Sequence, residues 1–142
     1  MLIPHVVNTE ADKVFVNILN NQTVALADGD LVVWNDSTPD GVRTTQPATA
    51  TLGLFVGVSD GAIAAAGYGL AQAYGFKTAV AHIDTTGTAS AAGDVFVPVA
   101  AKDYATYSKT ATGLDGFLFC GEAVVTDSTV IETTKKFFIR AL

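Results

Sequence analysis

Short apolar runs separated by turn-forming residues dominate the pattern of this chain. The first of them are Val14–Ile18, Leu31–Trp34 and Leu54–Val58, with a shorter run at Thr23–Leu26. Clusters of Gly, Asp, Asn and Thr divide the runs, and short strands bounded by such turns are typical of barrels and sandwiches. The pattern therefore predicts an all-β fold, and the later strands are expected at Ala79–Ile83, Val95–Val99, Leu118–Val125 and Phe137–Ile139.

Helix-forming residues are concentrated at one place only. Ala62–Ala66 is rich in alanine, but glycines at 61, 67 and 69 flank it, and glycine disfavours the helix. We expect at most one helical turn there, and little or no helix in the fold. The whole stretch Gly61–Gly75 is apolar, uncharged and rich in glycine, so it is expected to be a mobile and adhesive loop.

Two motifs recur at one spacing. Gly29–Val33 (GDLVV) resembles Gly93–Val97 (GDVFV), and Leu54–Gly57 (LFVG) resembles Leu118–Gly121 (LFCG). Both pairs lie 64 positions apart (93 − 29 and 118 − 54), so we expect a structural repeat. The predicted organisation is an N-terminal arm or first strand over residues 1–22, followed by a single β domain over 23–142. The pseudo-repeats of that domain are residues 23–86 and 87–142, approximately.

The repeated motifs carry specific structural expectations. In each Gly-Asp pair, glycine adopts the positive φ of a tight turn and the aspartate accepts hydrogen bonds from nearby amides. Gly57 and Gly121 end apolar runs, which suits a bulge or a close backbone approach. One half is too small to hold a stable core, so the two halves are expected to pack together in a compact barrel or sandwich.

Composition narrows the possible partners. Apolar residues make up 49% of the chain and charged residues 15%, so the chain is a folded domain with few charges to cover its surface. Part of that surface is therefore expected to be covered by a partner. The net charge of −6 and the scattered basic residues argue against nucleic acid. The uncharged stretch Ala62–Phe76 is too short and too rich in glycine to span a membrane.

The residues with catalytic or metal-binding chemistry are few. His5 and His82 are the only histidines, and His82 shares a predicted strand face with Asp84. The two side chains could form a proton shuttle or a metal-binding pair. We favour the alternative, in which they are part of a solvated strand face. Asp28-Gly29-Asp30 resembles a fragment of a calcium loop, but the further ligands are missing and a turn is favoured. We predict no catalytic residue, no metal and no cofactor, and hence no enzyme.

Two other segments contain residue types that also occur in functional sites. Gly67-Tyr68-Gly69 lacks the spacing and the Gly-Lys-Ser/Thr of a phosphate loop, so a flexible loop is favoured, ordered by a neighbouring subunit. Cys120 is the only cysteine and lies in an apolar run, which suits a buried and unreactive thiol. Met1–His5 lacks the features of a secretory signal, so synthesis in a reducing cytoplasm is expected.

Aromatic residues allow two interpretations. They could form a sugar-binding platform, although residues inside predicted strands more often belong to the core. The residues inside predicted strands are Trp34, Phe15, Phe55, Phe96, Phe119 and Phe138.

The segments Gly29–Val33, Leu54–Val58 and Ala92–Val97, together with a terminal Lys135–Leu142 (KKFFIRAL), resemble small capsid decoration proteins of tailed bacteriophages. The similarity covers roughly residues 24–142 and lies in composition and architecture. It implies a cement protein on the outside of an expanded capsid, bound to the major capsid protein and commonly trimeric. The expected location is therefore the virion exterior, after synthesis in the host cytoplasm.

A different class of function remains open beside this one. A carbohydrate-binding β-module, displayed on a virion or cell surface, would use aromatic residues that reach the surface. The candidates are Trp34, Tyr68, Tyr74, Tyr104 and Tyr107.

Overall fold

The fold is all-β, as the sequence predicts. The computed structural model describes residues 13–83, 91–101, 105–107, 118–121 and 131–141. Within them the only helical element is a single 3-10 turn at Leu52–Leu54. The strands are β1 Val14–Asn20, β2 Leu31–Trp34, β3 Arg43–Thr45, β4 Phe55–Ser59, β5 Tyr68–Ile83, β6 Val95–Pro98, β7 Ala105–Tyr107, β8 Leu118–Cys120 and β9 Ile131–Arg140.

Five strands of the first half close into a barrel. Their order is β1-β3-β2-β4-β5, and β5 pairs back onto β1. The β1–β3 pair is parallel and the other four pairs are antiparallel. Closure leaves each of these strands with a neighbour on both sides, so the barrel has no free edge for strand addition.

The pairings of the second half repeat those of the first. Their order is β5-β7-β6-β8-β9, and β9 pairs back onto β5. The parallel pairs correspond closely, because Leu19 lies opposite Arg43 and Ala81 opposite Ala105, each 24 positions further on. The long strand β5 belongs to both rings: up to Tyr74 it pairs with β1, and from Tyr74 onward with β9.

The Gly-Asp turns of the two halves have the same geometry, as expected from the sequence. Gly29 and Gly93 have φ values of 94° and 93°. The Asp30 carboxylate accepts a hydrogen bond from the Ala27 amide at 2.6 Å, and Asp94 accepts one from Ala91 at 2.7 Å. Each aspartate thus holds its own turn closed just before a strand begins.

Gly57 marks a bulge and a close approach, again as expected. Val32 pairs with Gly57 while Val33 pairs with Phe55, so β4 contains one extra residue. Gly57 has φ +152°, and a Cβ built on it would lie 2.2 Å from the carbonyl oxygen of Gln72. Only a residue without a side chain lets β4 approach β5 this closely.

The core is divided into two clusters. One fills the first barrel and contains Ile18, Val32, Val56 and Ala71 among its members. The other joins residues of both halves, because Leu31, Phe55 and Val58 of β2 and β4 belong to the same cluster as β6–β9 residues. The halves are therefore packed through a shared core, whose members from the second half are Phe96, Ala105, Leu118, Phe137 and Ile139.

The prediction of a loop over Gly61–Gly75 is wrong from Tyr68 onward. The strand β5 begins at Tyr68, and Ala71 and Ala73 within it are buried. Small residues are required there because neighbouring groups fill the space; a Cβ on Gly69 would lie 2.5 Å from the Ile63 side chain. The prediction misread glycine and alanine, selected for close packing, as signs of a loop.

Other element boundaries differ from the prediction. The run Thr23–Leu26 forms only an isolated bridge between Leu26 and Ile63. The strands β3 and β7 were not expected, since each has only three residues and β3 contains no apolar residue. The predicted strand Leu118–Val125 is seen as β8 up to Cys120, and residues 122–125 lie outside the described residues.

Candidate functional site

Six residues singled out by the sequence lie wholly or partly outside the described part of the chain. His5, Asp84 and Tyr104 lie outside the described residues. His82, Tyr107 and Cys120 lie on β5, β7 and β8, but their side chains are outside the described part. The interpretations of these residues remain predictions.

The Asp28–Asp30 segment is a turn whose carboxylates are occupied by N–H donors. Asp28 Oδ1 accepts hydrogen bonds from the Gly61 amide and from Lys77 Nζ, each at 2.9 Å. Within the described ranges, no group of three or more His, Cys, Asp or Glu side chains is arranged to hold a metal ion.

Lys77 connects two turns of the first barrel to β5. Its ammonium lies 2.9 Å from Asp28 and 2.7 Å from Asp60, and its side chain is only 11% exposed. Hydrogen bonding from the Gly61 amide, and then from Lys77, lowers the pKa of Asp28. Burial alone would lower the pKa of Lys77, but the hydrogen bonds to Asp60 and Asp28 outweigh it and raise that pKa. The arrangement is structural, because every charged group in it is paired.

The outer side of β1 and β5 carries an exposed apolar surface. Phe15 and Leu19 alternate with inward residues of β1, while Tyr68 and Leu70 do the same on β5. Leu19 lies directly opposite Tyr68, so the two strands share this face. Tyr68 is 75% exposed, and Leu70 and Phe15 about 40%. We call Phe15, Leu19, Tyr68 and Leu70 the β1–β5 face.

A pocket of about 250 Å³ lies at the end of β2. The half-buried Trp34 lines it, together with apolar groups of Pro39 and Leu54. We call it the Trp34 pocket. Its remaining lining residues are Asn35, Asp36, Gly41 and Arg43.

The loop around the Trp34 pocket is held by its own side chains. Asn35 Oδ1 accepts hydrogen bonds from the amides of Ser37 and Thr38, at 2.9 and 3.1 Å. Asp40 Oδ1 accepts hydrogen bonds from the backbone amides of Arg43 and Val42, and these bonds lower the pKa of the Asp40 carboxyl. The guanidinium of Arg43 pairs with the other carboxylate oxygen of Asp40. The loop is thus fixed without help from a ligand.

The aromatic residues of the predicted strands do not form one platform. Phe55 and Phe96 are buried, as expected for core residues, whereas Phe15 is exposed. Phe138 makes edge-to-face contacts with Tyr74 and Phe76, each at 5.1 Å between ring centroids. Trp34 packs against the core of the first barrel and also lines its own pocket.

Sequence reasoning missed part of both surfaces. Leu70 was included in the predicted loop, and Leu54 was assigned to a strand although it lies in the 3-10 turn and is 40% exposed. The sequence feature that could have indicated the pocket is the Pro39-Asp40-Gly41 turn, because it brings the apolar ring of Pro39 within five positions of Trp34.

A scan against protein-family models and a search of curated proteins find no match to this chain. In the described part of the chain, no helix is long and apolar enough to cross a membrane. The assignment of a function therefore depends on the surfaces themselves.

Proposed function

We propose that this protein is a non-enzymatic structural protein that binds the outer surface of a phage capsid and stabilises it. The observation that carries the binding role is the β1–β5 face, where large apolar side chains are exposed side by side on a rigid barrel wall. Exposed apolar surface of this kind marks interaction sites on soluble proteins. The capsid as partner follows from the resemblance to decoration proteins.

The geometry of the face suits a permanent contact. It lies on paired strands of a closed barrel, so little conformational entropy is lost when a partner covers it. Burying apolar area contributes roughly 25 cal/mol per Å², and a homotrimer would engage three such faces through linked sites, which raises the overall affinity. A homotrimer is the expected assembly, as the resemblance implies for copies at three-fold positions.

The proposal predicts that the protein is a component of virus particles. The gene should lie within a cluster of phage structural genes, and the protein should co-sediment in stoichiometric amounts with purified virions. Particles stripped of the protein should release their DNA at lower temperature than decorated particles. A gene outside any such cluster, together with absence of the protein from virions, would contradict the proposal.

A further inference from the structure

The Trp34 pocket has the features of a small-ligand site, distinct in position from the β1–β5 face. We propose that it binds a single neutral hexopyranose or N-acetylhexosamine ring, as the terminal residue of a surface glycan. The inference goes beyond capsid binding, and the two roles use different residues. It rests on the size of the pocket, on its mainly apolar lining, on the polar side chains of Asn35 and Asp36 at its edge, and on its charge.

The size and floor of the pocket favour one ring that has an apolar face. At about 250 Å³ the cavity lies just below the range of roughly 300–1,000 Å³ typical of drug-sized ligands. Trp34, Pro39 and Leu54 provide its apolar lining. An aromatic ring has a negatively polarised face, which attracts the weakly positive C–H groups of a pyranose.

The rim supplies hydrogen-bonding groups to the edge of such a ring. The Oδ1 atom of Asn35 is used by two backbone amides, so the amide NH₂ is the part of this side chain that can donate to a ligand. The Asp36 carboxylate is exposed at the rim and can accept from sugar hydroxyls. Hydroxyl groups both donate and accept, so a sugar satisfies both kinds of group.

Charge defines which sugars fit. The guanidinium of Arg43 is paired with Asp40, which neutralises the cation of the pocket lining. Asp36 then leaves a negative charge at the rim. Uronic and sialic acids would place a carboxylate near Asp36, so neutral sugars are expected to bind better.

The pocket is formed before the ligand arrives. The side-chain hydrogen bonds of Asn35 and Asp40 close the loop from Asn35 to Arg43. The backbone N–H of Asn35 also donates to the carbonyl oxygen of Arg43 at 2.9 Å. A fixed loop has little entropy to lose on binding. Weak binding by a single sugar ring is therefore measurable, with a dissociation constant on the order of millimolar.

The chain offers a direct readout, because Trp34 is its only tryptophan. The full protein would be titrated with methyl β-glucopyranoside, methyl β-galactopyranoside, N-acetylglucosamine and glucuronic acid while indole fluorescence and its quenching by acrylamide are recorded. We expect a saturable emission change and protection from quenching with at least one neutral sugar, and at least five-fold weaker binding of glucuronic acid.

Variants separate the pocket from other surfaces. Saturation-transfer NMR should show binding lost in Trp34→Ala, weakened in Trp34→Phe and unchanged in Phe76→Leu, a matched aromatic substitution on the other ring. Asp36→Asn should reduce the discrimination against glucuronic acid. If Trp34→Ala does not fold, as judged by circular dichroism, the Phe and Asn variants provide the same test.

Three results would overturn the inference. One is the absence of a saturable change with any of the neutral sugars at tens of millimolar. Another is binding that survives Trp34→Ala in a folded protein. The third is saturable binding of p-cresol without any sugar binding, because that result would assign the pocket to an apolar side chain of a protein partner.

Discussion

At the scale of single residues, the sequence was most informative where a backbone conformation requires glycine. Gly29 and Gly93 were predicted to adopt positive φ, and both do. These features are local, so a few neighbouring residues determine them. The contacts of Lys77 were not predictable in this way, since Asp28 lies 49 positions away from it along the chain.

Gly57→Ala should strongly destabilise the protein. The new methyl group would lie 2.2 Å from the Gln72 carbonyl oxygen, and the backbone would keep a φ that side chains rarely adopt. We expect the free energy of unfolding to fall by more than about 2 kcal/mol, measured by urea denaturation. Gly53→Ala is the matched control, because nothing lies within 4 Å of its Cβ position. Equal stability of the two variants would contradict this account of the bulge.

At the scale of elements, β5 explains why the sequence revealed only part of the fold. Its second half contains an apolar run and was recognised, whereas its first half contains small residues and was not. At the junction the buried Gln72 donates to the carbonyls of Tyr74 and Phe76, at 3.0 and 3.1 Å. A glutamine between alanines carries no sign of this role in the sequence, because the backbone conformation of β5 determines which carbonyls the side chain reaches. Likewise, Trp34 was named as a candidate but its pocket depends on how the following loop folds back.

Lys77→Met should remove the ion pairs that link β5 to two turns, and with them a pH-dependent contribution to the free energy of unfolding. Asp28 has a lowered pKa, so its contribution is present above its unfolded pKa and is lost as the pH falls through its folded pKa. Lys77 has a raised pKa, so its contribution is present below its unfolded pKa and is lost as the pH rises through its folded value. The stability difference from wild type should therefore be largest near neutral pH, about 1 kcal/mol given the solvent-exposed carboxylates.

The measurement is chemical denaturation of both proteins between acid and alkaline pH. Lys13→Met is the matched control, since Lys13 lies 64 positions before Lys77, which is the spacing of the repeated motifs, and forms no ion pair within the described part of the chain. Part of the acid dependence should persist in Lys77→Met, because the Gly61 amide is the largest cause of the Asp28 shift. A difference that stays constant across the pH range would contradict the proposed linkage.

At the scale of the whole molecule, the two rings depend on each other. They share β5, and one core cluster contains side chains from both. The all-β class was predictable because strand and turn patterns extend along the whole chain. The location of the adhesive surface was not, because the small residues of Gly61–Gly75 suggested a loop while Tyr68 and Leu70 lie on a rigid strand. A partner would therefore bury a preformed face and would not need to order a loop.

Capsid binding is expected to use that face. Tyr68→Ser combined with Leu70→Ser should leave the fold intact, since neither side chain belongs to the buried core, and should remove apolar area from the β1–β5 face. The double variant should bind particles that have been stripped of the protein at least ten-fold more weakly than wild type does. Co-sedimentation over a concentration series measures this, with Phe76→Ser as an exposed apolar control on the other ring. A folded double variant that binds stripped particles as tightly as wild type would show that the face does not contact the capsid.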